Sequence, residues 1–193
     1  MSTTGRPPES VRKPADRRVS RTRRSIDEAF IALLERRGYE AVGVSDIVRE
    51  ADVGRATFYE HYASKDDLLR TQLQRVSSLL RAHPGRPEFL DAAPLFAHVR
   101  DVPLLYRLVA GRSAAARSLR ILQEVLQARV AEVLEEHLAT GAALRPPLTS
   151  SIASRVIVAD LAAVLAWWTE NGMAATPDEM QRLFLACAGS LFA

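Results

Sequence analysis

The sequence predicts an all-α chain, and three observations predict it. Apolar residues recur at three- and four-residue spacing in one segment after another, the mark of amphipathic helices. Gly, Pro and Asn stand between those segments, where helices end. No stretch alternates convincingly at a period of two, so no strand is expected. The expected architecture is a three-helix domain with a helix-turn-helix, followed by a larger helical domain, about nine helices in total.

Residues 1–20 hold Gly5, Pro7, Pro8 and Pro14 among many Arg and show no apolar period, which reads as a flexible basic arm. The first helix is expected from about Arg21 to Arg37, with Ile26, Ala29, Phe30, Leu33 and Leu34 on one stripe. Gly38 ends it as a left-handed cap residue, and Tyr39 packs back onto it. The second helix carries Val44, Ile47, Val48 and Ala51 on one face. Asp52, Val53 and Gly54 form a turn, in which Asp tolerates the left-handed backbone less well than Gly. The third helix spans about Arg55–Tyr62, with Val53 and Phe58 turned inward. Ser64 caps a fourth helix from Lys65, which breaks at His83, Pro84 and Gly85.

Further helices are expected at about 88–100, 102–110, 114–139, 150–171 and 177–192. The 114–139 segment has Leu119, Leu122, Val125, Leu126, Val130, Val133, Leu134 and Leu138 at mixed three and four spacing. Thr176, Pro177 and Glu179 open the last helix as a capping box with Pro at its first position. The chain therefore divides into a basic arm (1–20), a helix-turn-helix domain (21–66) and a helical regulatory domain (67–193).

The formal charge is only +3, but it is unevenly spread. Residues 1–24 carry a net +6, from Arg6, Arg12, Lys13, Arg17, Arg18, Arg21, Arg23 and Arg24 against Glu9 and Asp16. Residues 25–70 carry a net −4. A basic arm beside a folded domain suits a polyanionic partner, and a solvated tail equally. The single cysteine, Cys187, excludes an intrachain disulfide and suits a reducing cytoplasm. The N-terminus lacks the apolar stretch of a signal peptide. The longest apolar run, around Val156–Trp168, is interrupted by Asp160 and reads as too short to span a bilayer, so no membrane is expected.

The third helix is too polar for a core helix. A major groove admits one α-helix, and a helix-turn-helix, here at about 42–61, places its second helix there. Gly54 and Ala56 let the backbone approach DNA closely. Arg55 is suited to a guanine edge, where two hydrogen bonds discriminate by about 1–3 kcal/mol. Thr57, Tyr59, His61 and Lys65 offer donors to phosphate oxygens. Glu60 accepts from a cytosine amino group or pairs with Arg55 or the arm. Singly, an Arg at a helix start or a lone His is an ordinary surface residue. It is their combination behind an apolar helix and a tight turn that points to double-stranded DNA.

Residues about 21–70 resemble the DNA-binding domain of the TetR family of bacterial transcriptional regulators. Gly38–Tyr39, Ile47, Ala51, Val53, Thr57–Phe58–Tyr59, His61–Tyr62, Lys65 and Leu68 carry the likeness. The remainder fits the family's larger helical domain in length and helix count. The chain departs from the family pattern at Gly43, where Thr is usual as a helix cap and phosphate contact, at Val48, where Ala is usual, and at Asp52, where Gly is usual. The resemblance puts Gly43, Gly54–Thr57, Tyr59–His61 and Lys65 at the DNA, with Arg21 and Arg24 at the start of the first helix beside them. It implies a homodimer through the last two helices, a palindromic operator, and a repressor released by a small-molecule effector. Phe96, His98, Tyr106, Trp167 and Trp168 are candidates to line an effector pocket, although such aromatics are equally suited to plain core.

Catalysis has little support. The four histidines are scattered, one cysteine excludes a multi-thiolate zinc site, and there is no Gly-rich phosphate loop. No cofactor and no metal are expected. A constitutive DNA-binding protein, or a regulator controlled by a protein partner, stays open beside the effector-controlled reading.

Overall fold

A computed structural model describes residues 14–82, 90–103, 106 and 116–192. Among them stand eight α-helices: α1 (Pro14–Arg37), α2 (Val44–Glu50), α3 (Arg55–His61), α4 (Lys65–Ser77), α5 (Ala93–Asp101), α6 (Ala116–Ala139), α7 (Ser150–Glu170) and α8 (Pro177–Ala188). The all-α expectation holds. The first 13 residues of the arm, the His83–Pro84–Gly85 break and most of the expected 102–110 helix lie outside the described residues.

α1 starts at Pro14, earlier than the Arg21 expected, so the C-terminal part of the basic arm is helical. Pro at a first helical position gives up an N–H that has no partner there anyway, and Arg is a good helix former. Ile26, Ala29, Phe30, Leu33 and Leu34 are all buried, as their spacing requires. Gly38 ends α1 with φ of +71°, and its N–H bonds the Leu34 carbonyl. The expected caps are in place: Ser64 accepts from the Asp67 N–H, and Thr176 with Glu179 forms the capping box of α8.

Two expectations fail locally. A helix from 88 was expected, but Leu90–Asp91 pairs antiparallel with Arg81–Ala82 as a two-residue ladder, β2 with β1. Pro94 suits only the first turn of α5. Ahead of it, the Gln181 amide accepts from the Ala92 N–H and donates to the Leu90 carbonyl, both at 2.8 Å. Strands of two residues are too short to show alternation. The last helix, expected to 192, stops at Ala188, and Phe192 bridges to Leu144 instead.

α4 leaves the helix-turn-helix unit and packs along α6, with Arg70 2.8 Å from Glu124 and Asp66 paired with Arg117. α6 buries Ile121, Leu122, Val125, Leu126, Val130, Val133 and Leu134 against α4 and α7. α7 places Ala153, Ile157, Leu161, Leu165 and Trp168 in the core. By length and composition α7 is long and apolar enough to cross a membrane, with mean hydropathy 1.5, which corrects the expectation of too short a run. A core helix passes the same test, and one side of α7 is core.

Candidate nucleic-acid interface

α1 and α2 frame α3. Ile47 is fully buried, and Val44, Val48 and Ala51 pack partly buried beside it. Asp52 turns the chain with φ of +50°, a left-handed conformation that Asp adopts more cheaply than most residues. Gly54 caps α3 in extended backbone, and its carbonyl accepts from the Phe58 N–H at 3.1 Å. Phe58 and Tyr62 are buried, so the helical rotation turns the opposite face outward. Gly54, Arg55, Ala56, Tyr59 and Glu60 are exposed, and Thr57 and His61 half-exposed. Tyr59 is 48% exposed and is therefore no core aromatic. The Arg55 guanidinium lies 5.9 Å above the Tyr59 ring, so both project from one patch. No ion pair joins Glu60 to Arg55 among the described residues.

Behind that patch the polar groups are tied to one another. Asp27, 8% exposed, accepts from the Tyr62 hydroxyl at 2.5 Å and from Arg75 Nη1 at 2.6 Å. Arg23 Nε donates to the same tyrosine oxygen at 3.1 Å. Asp27 raises the Arg75 pKa, while burial first and then Asp27 raise that of Tyr62. One carboxylate thus joins α1, α4 and the C-cap of α3. Lys65, expected on phosphate, donates to the Tyr39 carbonyl at 2.8 Å and lies 4.1 Å over the Tyr39 ring. Desolvation lowers its pKa. The Tyr39 hydroxyl donates to Asp66, whose pKa is lowered chiefly by Arg117.

The remaining candidates sit as follows. Gly43 is exposed at the N-cap of α2, and the Asp46 carboxylate accepts from its N–H at 3.0 Å. Arg21 and Arg24 are exposed on α1, whereas Arg23 between them is committed to Tyr62. Sequence reasoning passed over Asp27, Arg75 and Arg23. The signal was an acid inside the Ile26–Phe30 apolar stripe, where only a paired carboxylate is stable.

Of the five pocket candidates, His98 and Tyr106 line a cavity of about 380 Å³ bounded by α1, α4 and α5. The others do not, among the described residues. Phe96 and Trp168 are a buried edge-to-face pair 5.7 Å apart, with Trp168 Nε1 donating to the Ala175 carbonyl. Trp167 is 53% exposed on the outer side of α7. A step of one residue turns about 100° around a helix, and here it takes Trp168 into the core and Trp167 to the surface, so the two do not share a pocket.

Residues 26–71 match the model of the tetR family of bacterial regulatory proteins. An uncharacterised helix-turn-helix transcriptional regulator of Bacillus subtilis, YxbF, is 48% identical over 64 residues, 33% of this chain and 17% of that protein. The match thus spans under a fifth of that relative's length. A putative TetR-family regulator from Syntrophomonas wolfei superposes with a TM-score of 0.64 at 21% identity, over 89% of this chain and 95% of its own. The transcriptional regulator FadR of Bacillus subtilis, solved with stearoyl-CoA, superposes with a TM-score of 0.59 at 16% identity, over 86% and 97%. At these identities the two structures speak to the fold, while the 26–71 segment speaks to descent. Residues 26–71 thus carry a tetR-family regulatory segment, set in a chain that shares its helical fold with solved TetR-family regulators.

Proposed function

We propose that this protein binds a palindromic operator in the cytoplasm as a homodimer, represses transcription there, and is released by a small-molecule effector. The observation that carries the reading is the division of α3. Phe58 and Tyr62 anchor it, while Arg55 and Tyr59 stand exposed on the side away from the core. In this reading Arg55 reads a base edge, and Thr57, Tyr59, His61 and the N–H groups near Gly43 and Gly54 meet phosphates. Arg21 and Arg24 add charge from α1, which the net −4 of residues 25–70 makes necessary.

The dimer has its own support. Of six large exposed apolar side chains among the described residues, four lie on the last two helices: Ile152, Val156, Trp167 and Leu183. Ile152, Val156, Ala159, Ala163 and Trp167 form one outward stripe on α7, and Leu183 and Cys187 continue it on α8. Leu165 and Phe184, on the same two helices, are buried inside the protomer. Water-facing apolar stripes of this kind are covered by a partner. The effector rests on the cavity and on the lipid-bound neighbour of the same fold.

DNA selected from random sequence by the purified chain tests the reading. It should show two inverted half-sites centred about one helical turn, roughly 34–36 Å, or a multiple apart. Trp167→Glu should convert the dimer to monomer in sedimentation and abolish two-half-site binding. A triple Arg55→Ala, Tyr59→Ala, Lys65→Ala variant that still bound the selected DNA normally would refute the site. Selected DNA whose binding no metabolite alters would return the constitutive or protein-controlled alternative.

A further inference from the structure

We propose that the cavity between α1, α4 and α5 takes an uncharged, mainly apolar molecule bearing a carbonyl group, whose oxygen is held by the Gln72 amide N–H and the Tyr106 hydroxyl. The inference rests on the effector-controlled reading and gives that effector a place and a chemical class.

The walls are apolar, with Phe30, Leu34, Leu69 and Leu73 among them, and the volume of about 380 Å³ suits a small organic ligand. Within these walls two polar atoms, Gln72 Nε2 and the Tyr106 hydroxyl oxygen, are fully buried and have no hydrogen-bond partner. Tyr106 as a whole is only 6% exposed. Buried polar atoms are rarely left unpaired, and two lining one cavity mark the same missing partner. Gln72 is not idle elsewhere: its Oε1 accepts from Arg75 Nη1 at 3.2 Å. Only its N–H donors remain, so the ligand must present an acceptor. The Tyr106 hydroxyl donates to the second lone pair of the same oxygen or to a neighbouring acceptor.

The charge of the site sets the rest of the class. Arg75 lines the cavity but is paired with Asp27 at 2.6 Å, and Asp27 accepts from both Arg75 and Tyr62. Arg75 is thus the one permanently charged side chain among the described lining residues, and its charge is already paired, which favours an uncharged ligand. Burial raises the Tyr106 pKa, so its hydroxyl remains a neutral donor. His98 stands edge-on to Tyr106 with ring centres 6.0 Å apart, extending the aromatic wall.

Prodan, an uncharged naphthalene ketone whose emission moves to the blue in apolar surroundings, is the probe for the full chain. It should bind saturably, one per chain. Tyr106→Phe and Gln72→Met should each weaken it about tenfold, the worth of one hydrogen bond. Dimethylaminonaphthalene, which lacks the ketone, should bind the variants as it binds the parent chain. Tyr106→Phe should unfold at the same temperature or higher, because it removes a hydroxyl with no internal partner. Absence of prodan binding, equal binding by all variants, or tighter binding of anilinonaphthalene sulfonate at the same site would overturn the assignment. So would a lowered unfolding temperature for Tyr106→Phe. Selection of DNA without any probe is run alongside. Operator selection without prodan binding removes the ligand class and leaves the regulator reading intact. Prodan binding as expected without operator selection does the reverse.

Discussion

The outer face of α3 and the joint between α1, α3 and α4 hold the same kinds of side chain and use them oppositely. On the outer face, Arg55, Tyr59 and Glu60 are exposed, and the Arg55 guanidinium lies over the Tyr59 ring. At the joint, Arg75, Tyr62, Asp27, Lys65 and Tyr39 are bonded to each other or to backbone. Arg and Tyr occur on both sides, Tyr59 and Tyr62 only three residues apart. What separates Tyr62, held for folding, from Arg55 and Tyr59, offered for binding, is their phase on and at the end of a seven-residue helix. That phase is set by Phe58 and Tyr62.

If the division is real, substitutions behind α3 change stability and substitutions in front of it change only binding. Asp27→Ala should have the largest effect. It leaves the Tyr62 hydroxyl and the Arg75 guanidinium without their acceptor, although Arg75 is half-exposed and recovers part of the loss from water. A cost of about 2–3 kcal/mol is expected in urea unfolding. A change under about 0.5 kcal/mol would mean that the joint is held by apolar packing alone.

Arg55→Ala should be the converse. Stability should stay within about 0.5 kcal/mol, as for other exposed positions, while operator affinity falls by about 1–3 kcal/mol and preference relaxes at one base pair. A uniform loss across sequences would make Arg55 a phosphate contact instead.

Lys65 lies on the boundary and sharpens it. One of its three donors is spent on the Tyr39 carbonyl, and its stem covers the Tyr39 ring. Lys65→Ala should therefore cost about 1 kcal/mol of stability without DNA. If the remaining donors meet phosphate, the salt dependence of operator binding should also become shallower by about 0.9 in log–log slope. An unchanged slope would place Lys65 wholly on the structural side.

Most of the helices and their ends, the helix-turn-helix included, were legible because their signals are local. Gly38, Asp52, Ser64 and the capping box at Thr176 each constrain a backbone conformation through a neighbour within a few residues. The spacing of Ile26 to Leu34 and of Leu119 to Leu138 declared buried faces in the same way. The joint was not legible, because Asp27, Tyr62 and Arg75 are far apart in the chain and their pairing has no period. Sequence also could not tell Trp167 from Trp168 as pocket, core or surface, since that depends on which side of α7 meets α6. The β1–β2 ladder escaped for a related reason: Gln181, distant in sequence, holds the backbone that a helix would otherwise claim.

The smallest expected effect comes from the turn into α2. Gly43 takes φ of −107° and ψ of 164°, a conformation open to any residue. A side chain there would meet only the Asp46 carboxylate, at an ordinary 3.5 Å from its first carbon. Gly43→Thr would add a hydroxyl able to accept from the free N–H groups of the first turn, while the Asp46 bond to the Gly43 N–H stays available. Capping by Thr exceeds capping by Gly by a few tenths of a kcal/mol, so the gain in stability should be about that size. Against DNA, the hydroxyl should add one neutral phosphate contact. Operator affinity should rise a few-fold with an unchanged salt slope, because no counterion is released by an uncharged donor. A rise in stability with no change in affinity would put the N-terminus of α2 out of reach of the DNA backbone and confine the interface to α3 and α1.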